Sequence, residues 1–358
     1  MQGIECPDSE PAPEASRRYY VGTSALNLFR EGMEVKCPVQ DGLIQDWDCA
    51  SKLYDFALRE VLRVNPREHP VLLSEPGFNT SALREKTTEF FFEHYQVPAF
   101  FLCKNRVLSS FVYGRATSAV VESGGGTTVV TPVHNGYALT KAIVRSPLAG
   151  DELTRIYRHV VEKAGIEIRP GYMLNKKQAE SGEFKVSLKN LAGVTESFHS
   201  YQVNQILQSL KEETCQTISP AEHKFRIPEI LFNPSRFVPA DYPRYEEFRA
   251  LPGIHQMLVN SISACDSDIR KDLYQNIAIC GGNTLFPEFQ DRFIAEVNTL
   301  TAQQKKIRNQ SLPFNAERKY SVFIGGSILG CLGTFHLMWI SKQEYEEHGR
   351  SIADRKCP

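Results

Sequence analysis

Apolar and polar positions along the chain fall into two rhythms. In VVESGGGTTVVTPVHNGYAL, Val120 to Leu139, apolar runs rich in β-branched residues lie on either side of three glycines, which predicts two strands joined at a hairpin tip. A helix is predicted over Asn79 to Tyr95, where Asn79, Thr80 and Ser81 offer caps and Leu83, Phe90 and Phe91 supply part of an apolar face; the strand PAFFLC follows. Leu153, Ile156, Tyr157, Val160 and Val161 have the spacing of an amphipathic helix, set just after the turn PLAGDEL. In NIAICGGNTLFPEF a buried strand runs into Gly281-Gly282. Asn283 or Thr284 can cap a helix after it, with Phe286, Phe289, Phe293 and Val297 as its apolar face. In YSVFIGGSILGCLGTF the small residues Gly325, Gly326 and Ser327 head a further predicted helix. Strands and helices alternate throughout, which predicts the α/β class.

Two stretches break the rhythm. Residues 1–18 are rich in Pro, Glu and Ser and are expected to form a disordered tail. Residues 166–250 carry scattered Pro, Gly and charges, as expected of a smaller lobe inserted into a larger one.

Composition narrows the function classes. A chain of 358 residues that is 42% hydrophobic and 23% charged can build a large core in two or more domains. A formal net charge of −1 argues against a protein whose main task is gripping nucleic acid through phosphates. The nine cysteines are scattered, with no CxxC and no paired histidine, so neither a zinc site nor a disulfide framework is signalled and a reducing compartment fits. The N-terminal stretch lacks a signal-peptide core, and no run of about 18 apolar residues could span a bilayer, so a soluble intracellular protein is expected.

The glycine clusters carry the candidate chemistry. Both phosphate motifs that open a helix, the P-loop and the dinucleotide fingerprint, are excluded for Gly124–Gly126, because a strand follows them. Successive glycine N–H groups at a hairpin tip form either an ordinary turn or an anion-binding concavity. Gly281-Gly282, at a strand-to-helix junction, serves either close packing or a flat approach of a ligand's sugar or base. At Gly325 and Gly326 tight packing is the favoured reading.

Taken together, the order of these segments resembles the actin superfamily. The hairpin with its GYAL exit is followed by SPLAGDELT, NSISACDSDIRKDLY, CGGNTLFP and KYSVFIGGSILGCLGTFHLMWISKQEYEEHGRSIADRKCP, and preceded by YYVG, DWD, REHPVLLSEP and FVYGRATS. The resemblance runs from Tyr19 to Pro358. FFFEHYQVPAFFLCKNRVLSSF, IEIRPGYML, VTESFHSY and RIPEILFNPS look like the nuclear actin-related proteins counted as the fourth of their series, the actin-like 6 type, whereas GIHQ, DIRKDLY and KYSV are nearer to conventional actin.

The resemblance implies an actin-like ATPase fold, with two ribonuclease-H-like lobes around a nucleotide cleft. Residues 19–113 and 320–358 would form the first lobe, 114–149 and 250–319 the base of the second, and 150–249 its peripheral insertion. It places Ser123, Gly124, Gly125 and Gly126 in the second phosphate hairpin and Gly150 where backbone meets the nucleotide. Lys211 and Glu212 stand near ribose and base, Gly281, Gly282, Asn283 and Phe286 in the adenosine loop, and Lys319 on the base side; for Lys211 and Glu212 a solvated helix face is the competing reading.

The catalytic half departs from the family. The first phosphate hairpin has no counterpart before Tyr19. If that hairpin makes three charge-assisted hydrogen bonds of about 1.5–3 kcal/mol each, its loss weakens binding by more than about a thousandfold, so ATP is expected to bind weakly or not at all. A chain without those strands should expose a strand edge; a partner covers it, or the sequence is an incomplete gene model or splice form, the second being favoured. The metal-facing aspartate position is Glu122, a second carboxylate position is Gly125, the glutamine position near the attacking water is Asn105, and the water-orienting histidine position is Val129, which can neither accept a proton nor hold a water. No catalytic residue, no metal site and no meaningful ATPase are therefore expected.

The implied function is that of a scaffold in the nucleus. The resemblance implies a subunit of SWI/SNF-type chromatin-remodelling or histone-acetyltransferase complexes that binds the helicase-SANT-associated helix of the remodelling ATPase alongside nuclear actin, with histone or nucleosome contact as a further expectation. IGGSILGCLGTFHLMWI would lie near the groove for that helix. The alternatives are a cytoskeletal filament protein and a sugar kinase or chaperone ATPase of the same superfold.

Overall fold

The computed structural model describes residues 3–5, 18–40, 42–178, 184–215, 227–301, 307, 309–310, 312 and 314–357. The chain divides into two compact units. The larger comprises 41–43, 64–153 and 215–358; the smaller comprises 1–40, 44–63 and 154–214.

Two sheets organise the larger unit. In the first, the strands run in the order Tyr137–Ala138, Thr128–His134, Ser118–Ser123, Ile277–Cys280, Asn309–Gln310, with Val144–Ser146 also pairing Thr128–His134. Ser118–Ser123 is antiparallel to Thr128–His134 and parallel to Ile277–Cys280. Ala119, Val120, Val121, Val130, Ile277 and Ile279 are all fully buried, so the strands read as continuous apolar runs and not as alternating ones. That is the pattern of a sheet covered on both faces, here by helices that include Asn105–Val112, Ile254–Ser263 and Ser267–Gln275. In the second sheet Val71–Glu75 runs parallel to Ala99–Lys104, which pairs antiparallel with Ile340–Ser341. Val71–Glu75 is its end strand, with Val71, Leu72 and Leu73 half-buried.

Local chemistry sets the helix boundaries. The helix Ser81–Glu89 starts where the Thr80 hydroxyl accepts the Leu83 N–H, and wider turns carry it on through Phe90–His94. Its innermost rings are Phe91 and Phe92, while Leu83 and Phe90 are only half-buried; Phe91 stacks on Phe100 with ring centroids 4.8 Å apart. Of the apolar face expected after the Gly281-Gly282 loop, Phe289, Phe293 and Val297 are the buried side of a helix, while Phe286 is buried in the turn before it. The helix begins only at Phe289, so neither Asn283 nor Thr284 caps it. Gly325 and Gly326 lie inside the helix Ser321–Cys331 rather than at its head. A Cβ on Gly325 would stand 1.8 Å from the Leu108 carbonyl oxygen, so the glycine allows this helix to cross Asn105–Val112 at backbone contact.

The smaller unit is built on a core of Leu26, Met33, Phe198 and Tyr201, with Tyr20, Phe29 and Tyr172 against it. Its main helix, Glu196–Thr214, is joined by Trp47–Asp55, where the Asp46 carboxylate accepts the Cys49 N–H at 3.0 Å. That bond holds the Asp46 carboxyl below the usual range. Residues 1–18 were expected to be a disordered tail, yet Gly3–Glu5 form a strand between Tyr19–Val21 and Glu34–Lys36, because both of those strands leave backbone groups open to it; residues 1–2 and 6–17 lie outside the described residues.

Two further expectations change. The insertion expected over 166–250 ends earlier, since residues from 215 onward belong to the larger unit. The reason is visible in the packing: Phe232 lies against Phe289 with ring centroids 5.2 Å apart, and the Tyr242 hydroxyl donates to Glu152 at 2.6 Å. The apolar stripe of the helix Gly150–Lys163 also stops after Tyr157, with Val160 41% exposed.

Candidate functional site

Three loops of the larger unit meet at the glycine hairpin. Pairing of Ser123 with Thr128 and of Glu122 with Val129 leaves 124–127 as the tip, closed by a bond from the Gly124 N–H to the Thr127 carbonyl at 3.1 Å. Beneath the tip the Ser123 and Thr128 hydroxyls are 2.8 Å apart, and Thr128 donates to the Leu148 carbonyl at 2.6 Å. The first turn of Gly150–Lys163 approaches from one side, the Gly150 N–H donating to the Gly124 carbonyl at 2.9 Å and the Asp151 N–H to the Gly125 carbonyl at 2.8 Å. From the other side Asn283 Nδ2 donates to Ser123 Oγ at 3.0 Å and to the Gly124 carbonyl at 2.8 Å. This polar tie, and not helix capping, is the role of Asn283.

Glycine is required at position 281, and at position 150 it relieves a tight contact. Gly281 has φ +93°, and a Cβ there would lie 2.3 Å from the Ser123 carbonyl oxygen. A Cβ on Gly150 would lie 3.1 Å from Asn283 Oδ1 and 3.2 Å from the Gly124 oxygen. Gly125 and Gly126 are exposed instead, and among the described residues their N–H groups donate to no protein acceptor. The loop carbonyls are thus drawn inward while two successive N–H groups face solvent, the arrangement that accepts an anion.

The remaining predicted residues are placed as follows. Phe286 is 7% exposed and Gly282 meets nothing that a Cβ would touch. Lys319 is exposed, with its ammonium 5.8 Å from the Tyr320 ring centroid, and does not reach the loop. Its neighbour Arg318, missed in the sequence, does: its carbonyl accepts the Gly281 N–H at 3.0 Å and its Nη1 donates to the Thr284 carbonyl at 3.2 Å. Lys211 and Glu212 belong to the smaller unit. There Lys211 is buried and donates to Thr154 Oγ1 at 2.8 Å, so the solvated-face reading fails for it, whereas Glu212 is exposed and accepts a bond from Gln208 at 2.8 Å. A further group missed from sequence is Tyr113, whose hydroxyl donates to the Ile279 carbonyl at 2.6 Å and is pushed up in pKa by burial.

Beside the hairpin, the groups that would serve hydrolysis are absent or engaged. Val129 is buried. Glu122 Oε2 lies 2.7 Å from Arg106 Nε, a charge contact in which neither atom makes a hydrogen bond, and Arg106 Nη1 donates to Asn105 Oδ1 at 2.5 Å. The nearby Cys280 thiol is raised to about 12 by burial and stays neutral. The divalent cation that an actin-like site implies does not fit these groups: its carboxylate is committed to a guanidinium, position 125 offers no oxygen from a side chain, and no cluster of three His, Cys, Asp or Glu occurs among the described residues.

A glycine-clasped hairpin between a helix N-terminus and a strand–Gly-Gly loop, on paired mixed sheets, defines an actin-like α/β fold. The sequence pattern of the actin family matches residues 6–223 and 216–358. The chain is 38% identical to Actin-related protein 4 of Arabidopsis thaliana over 369 residues, 40% identical to that of Oryza sativa subsp. indica over 372, and 35% identical to that of Yarrowia lipolytica over 368. Each alignment covers 96% of this chain and 84% of the relative. The chain belongs to the actin family, and its similarity extends to these actin-related proteins. No described helix is long and apolar enough to cross a membrane.

Proposed function

We propose that this protein is a non-catalytic actin-related scaffold of the nucleus, a subunit of chromatin-remodelling or histone-acetyltransferase complexes. It binds the helicase-SANT-associated helix of the remodelling ATPase together with nuclear actin, and ATP is at most a weakly held structural ligand of the glycine hairpin. Similarity to proteins named Actin-related protein 4 supports the class, and the SWI/SNF-type complex is the finer expectation within it.

The observation that carries the reading is the helix Ser321–Cys331. It is apolar on every side, and such a helix is ordinarily enclosed. Here Phe323 is 77% exposed, Ile328 38% and Leu332 39%, and Leu337 and Met338 continue the surface at 84% and 38%. An amphipathic helix laid on such a surface buries its own apolar face in return. Purification of the tagged full chain from nuclei, followed by mass spectrometry, should recover a remodelling ATPase and actin. Recovery of neither, with sedimentation of nucleotide-dependent polymers, would overturn the reading. Phosphate release from ATP by the purified chain should not exceed buffer background.

A further inference from the structure

The Arg106–Glu122 pair sits where it changes what the hairpin can bind. The Glu122 side chain is 16% exposed and that of Arg106 5%. On the sheet Glu122 lies between Val129 and Cys280, both buried and uncharged, so the guanidinium is the cation that balances this carboxylate. Asn105 fixes the guanidinium from the other side through its Oδ1, which also accepts the Arg106 backbone N–H at 3.1 Å. A carboxylate so balanced offers a divalent cation no net charge, and a cation entering there would have to displace a buried guanidinium. One acidic group remains at the tip. The Asp151 carboxylate lies 3.3 Å from where a Gly125 Cβ would stand, and it is a single ligand at the surface.

We propose that Arg106 is a built-in replacement for the divalent cation at Glu122, so that the glycine hairpin takes its phosphate-bearing ligand without magnesium. This rests on the reading of the hairpin as a weak nucleotide site and adds the ionic form in which the nucleotide is taken. The exposed Gly125 and Gly126 N–H groups supply the contact to phosphate, and the protein's own guanidinium supplies the local positive charge.

The full chain is titrated with ATP by calorimetry in EDTA and in excess Mg2+, and separately with Mn2+ alone by electron paramagnetic resonance. ATP dissociation constants should agree within about twofold between the two buffers, and the signal of free aqueous Mn2+ should be undiminished. A tightening of about tenfold or more by Mg2+ overturns the proposal, as does one Mn2+ bound per chain and lost in either Glu122→Gln or Asp151→Asn. If ATP binds in neither buffer, the weak-nucleotide reading falls, and with it the claim of a phosphate ligand; the Mn2+ titration then decides cation replacement on its own. In Arg106→Ala the freed carboxylate should produce Mn2+ binding that Arg106→Lys does not, and a folded Arg106→Ala chain that gains none refutes the replacement. Should Arg106→Ala fail to fold, the comparison of Mg2+ with EDTA on the unaltered chain still decides the matter.

Discussion

Gly281 gives the sharpest test of how the three loops are held together. Its backbone, φ +93° and ψ 157°, lies in a region open essentially to glycine, and an added Cβ would stand 2.3 Å from the Ser123 oxygen and 2.6 Å from the Ser123 carbonyl carbon. Both obstructing atoms are main chain in a buried strand, so no side chain can rotate away. Forcing an L-residue into that conformation costs about 1–3 kcal/mol, and overpacking against rigid surroundings about 1–3 kcal/mol more. Gly281→Ala should therefore destabilise the larger unit by about 2–6 kcal/mol, a large part of the roughly 5–15 kcal/mol that holds a domain folded. Gly282 provides the control in the same loop, since nothing lies within 4 Å of its added Cβ and its φ is not positive. Urea unfolding is followed by Trp339 fluorescence in a Trp47→Phe background, which leaves one tryptophan, in the larger unit. If Gly281→Ala and Gly282→Ala unfold within about 1 kcal/mol of each other, the backbone contact described here does not constrain the loop.

Removing one member of the buried pair, Arg106→Ala, should cost about 3–5 kcal/mol in the same unfolding assay, whereas Arg106→Met with Glu122→Leu should recover most of it. Inside Ser321–Cys331, Gly325→Ala should destabilise by forcing the helix off the Leu108 carbonyl, while Gly330→Ala, with open space around it, should stabilise by up to about 1 kcal/mol through helix propensity. On the exposed apolar surface, Phe323→Asp with Leu337→Asp should leave the melting temperature nearly unchanged and weaken capture of the remodelling ATPase by about tenfold or more, since each exposed apolar side chain buried on docking contributes about 1.5–3 kcal/mol. At the C-terminal end, the Lys356 ammonium and the Ser341 N–H hold the Glu344 carboxyl at about 2 against an ordinary 4.5. A depressed carboxyl stabilises above its unfolded value and loses that contribution as the pH falls toward its folded one, so the acid side of the stability profile, from about 4.5 down to about 2, should flatten in Lys356→Met.

Local signals account for what could be read ahead of the fold. The hairpin was legible because β-branched runs on both sides of three glycines have few other solutions, and the Phe289, Phe293 and Val297 face because its spacing matches one side of a helix. Elsewhere pattern and packing parted. Val160 has helical spacing but faces water, since whether a stripe is covered depends on what lies opposite it. Asn283 looks like a cap in sequence, yet its amide ties two loops that are 160 residues apart in the chain. The resemblance points to Lys319 because it transfers positions, whereas reach depends on which way each side chain leaves its short helix, and there Arg318 is the residue that meets the loop.

The sequence by itself determined the α/β class, the actin-like order of segments, the glycine hairpin and the lack of a carboxylate at position 125 and of an imidazole at position 129, because residue identity alone removes those chemical groups. Only the tertiary structure decided that Glu122 is claimed by Arg106, that Asn283 and the Gly150 and Asp151 N–H groups clasp the hairpin from either side, and that an all-apolar helix keeps one face in water. Each of these depends on distances between segments far apart in the chain, which a one-dimensional pattern of residue types does not encode.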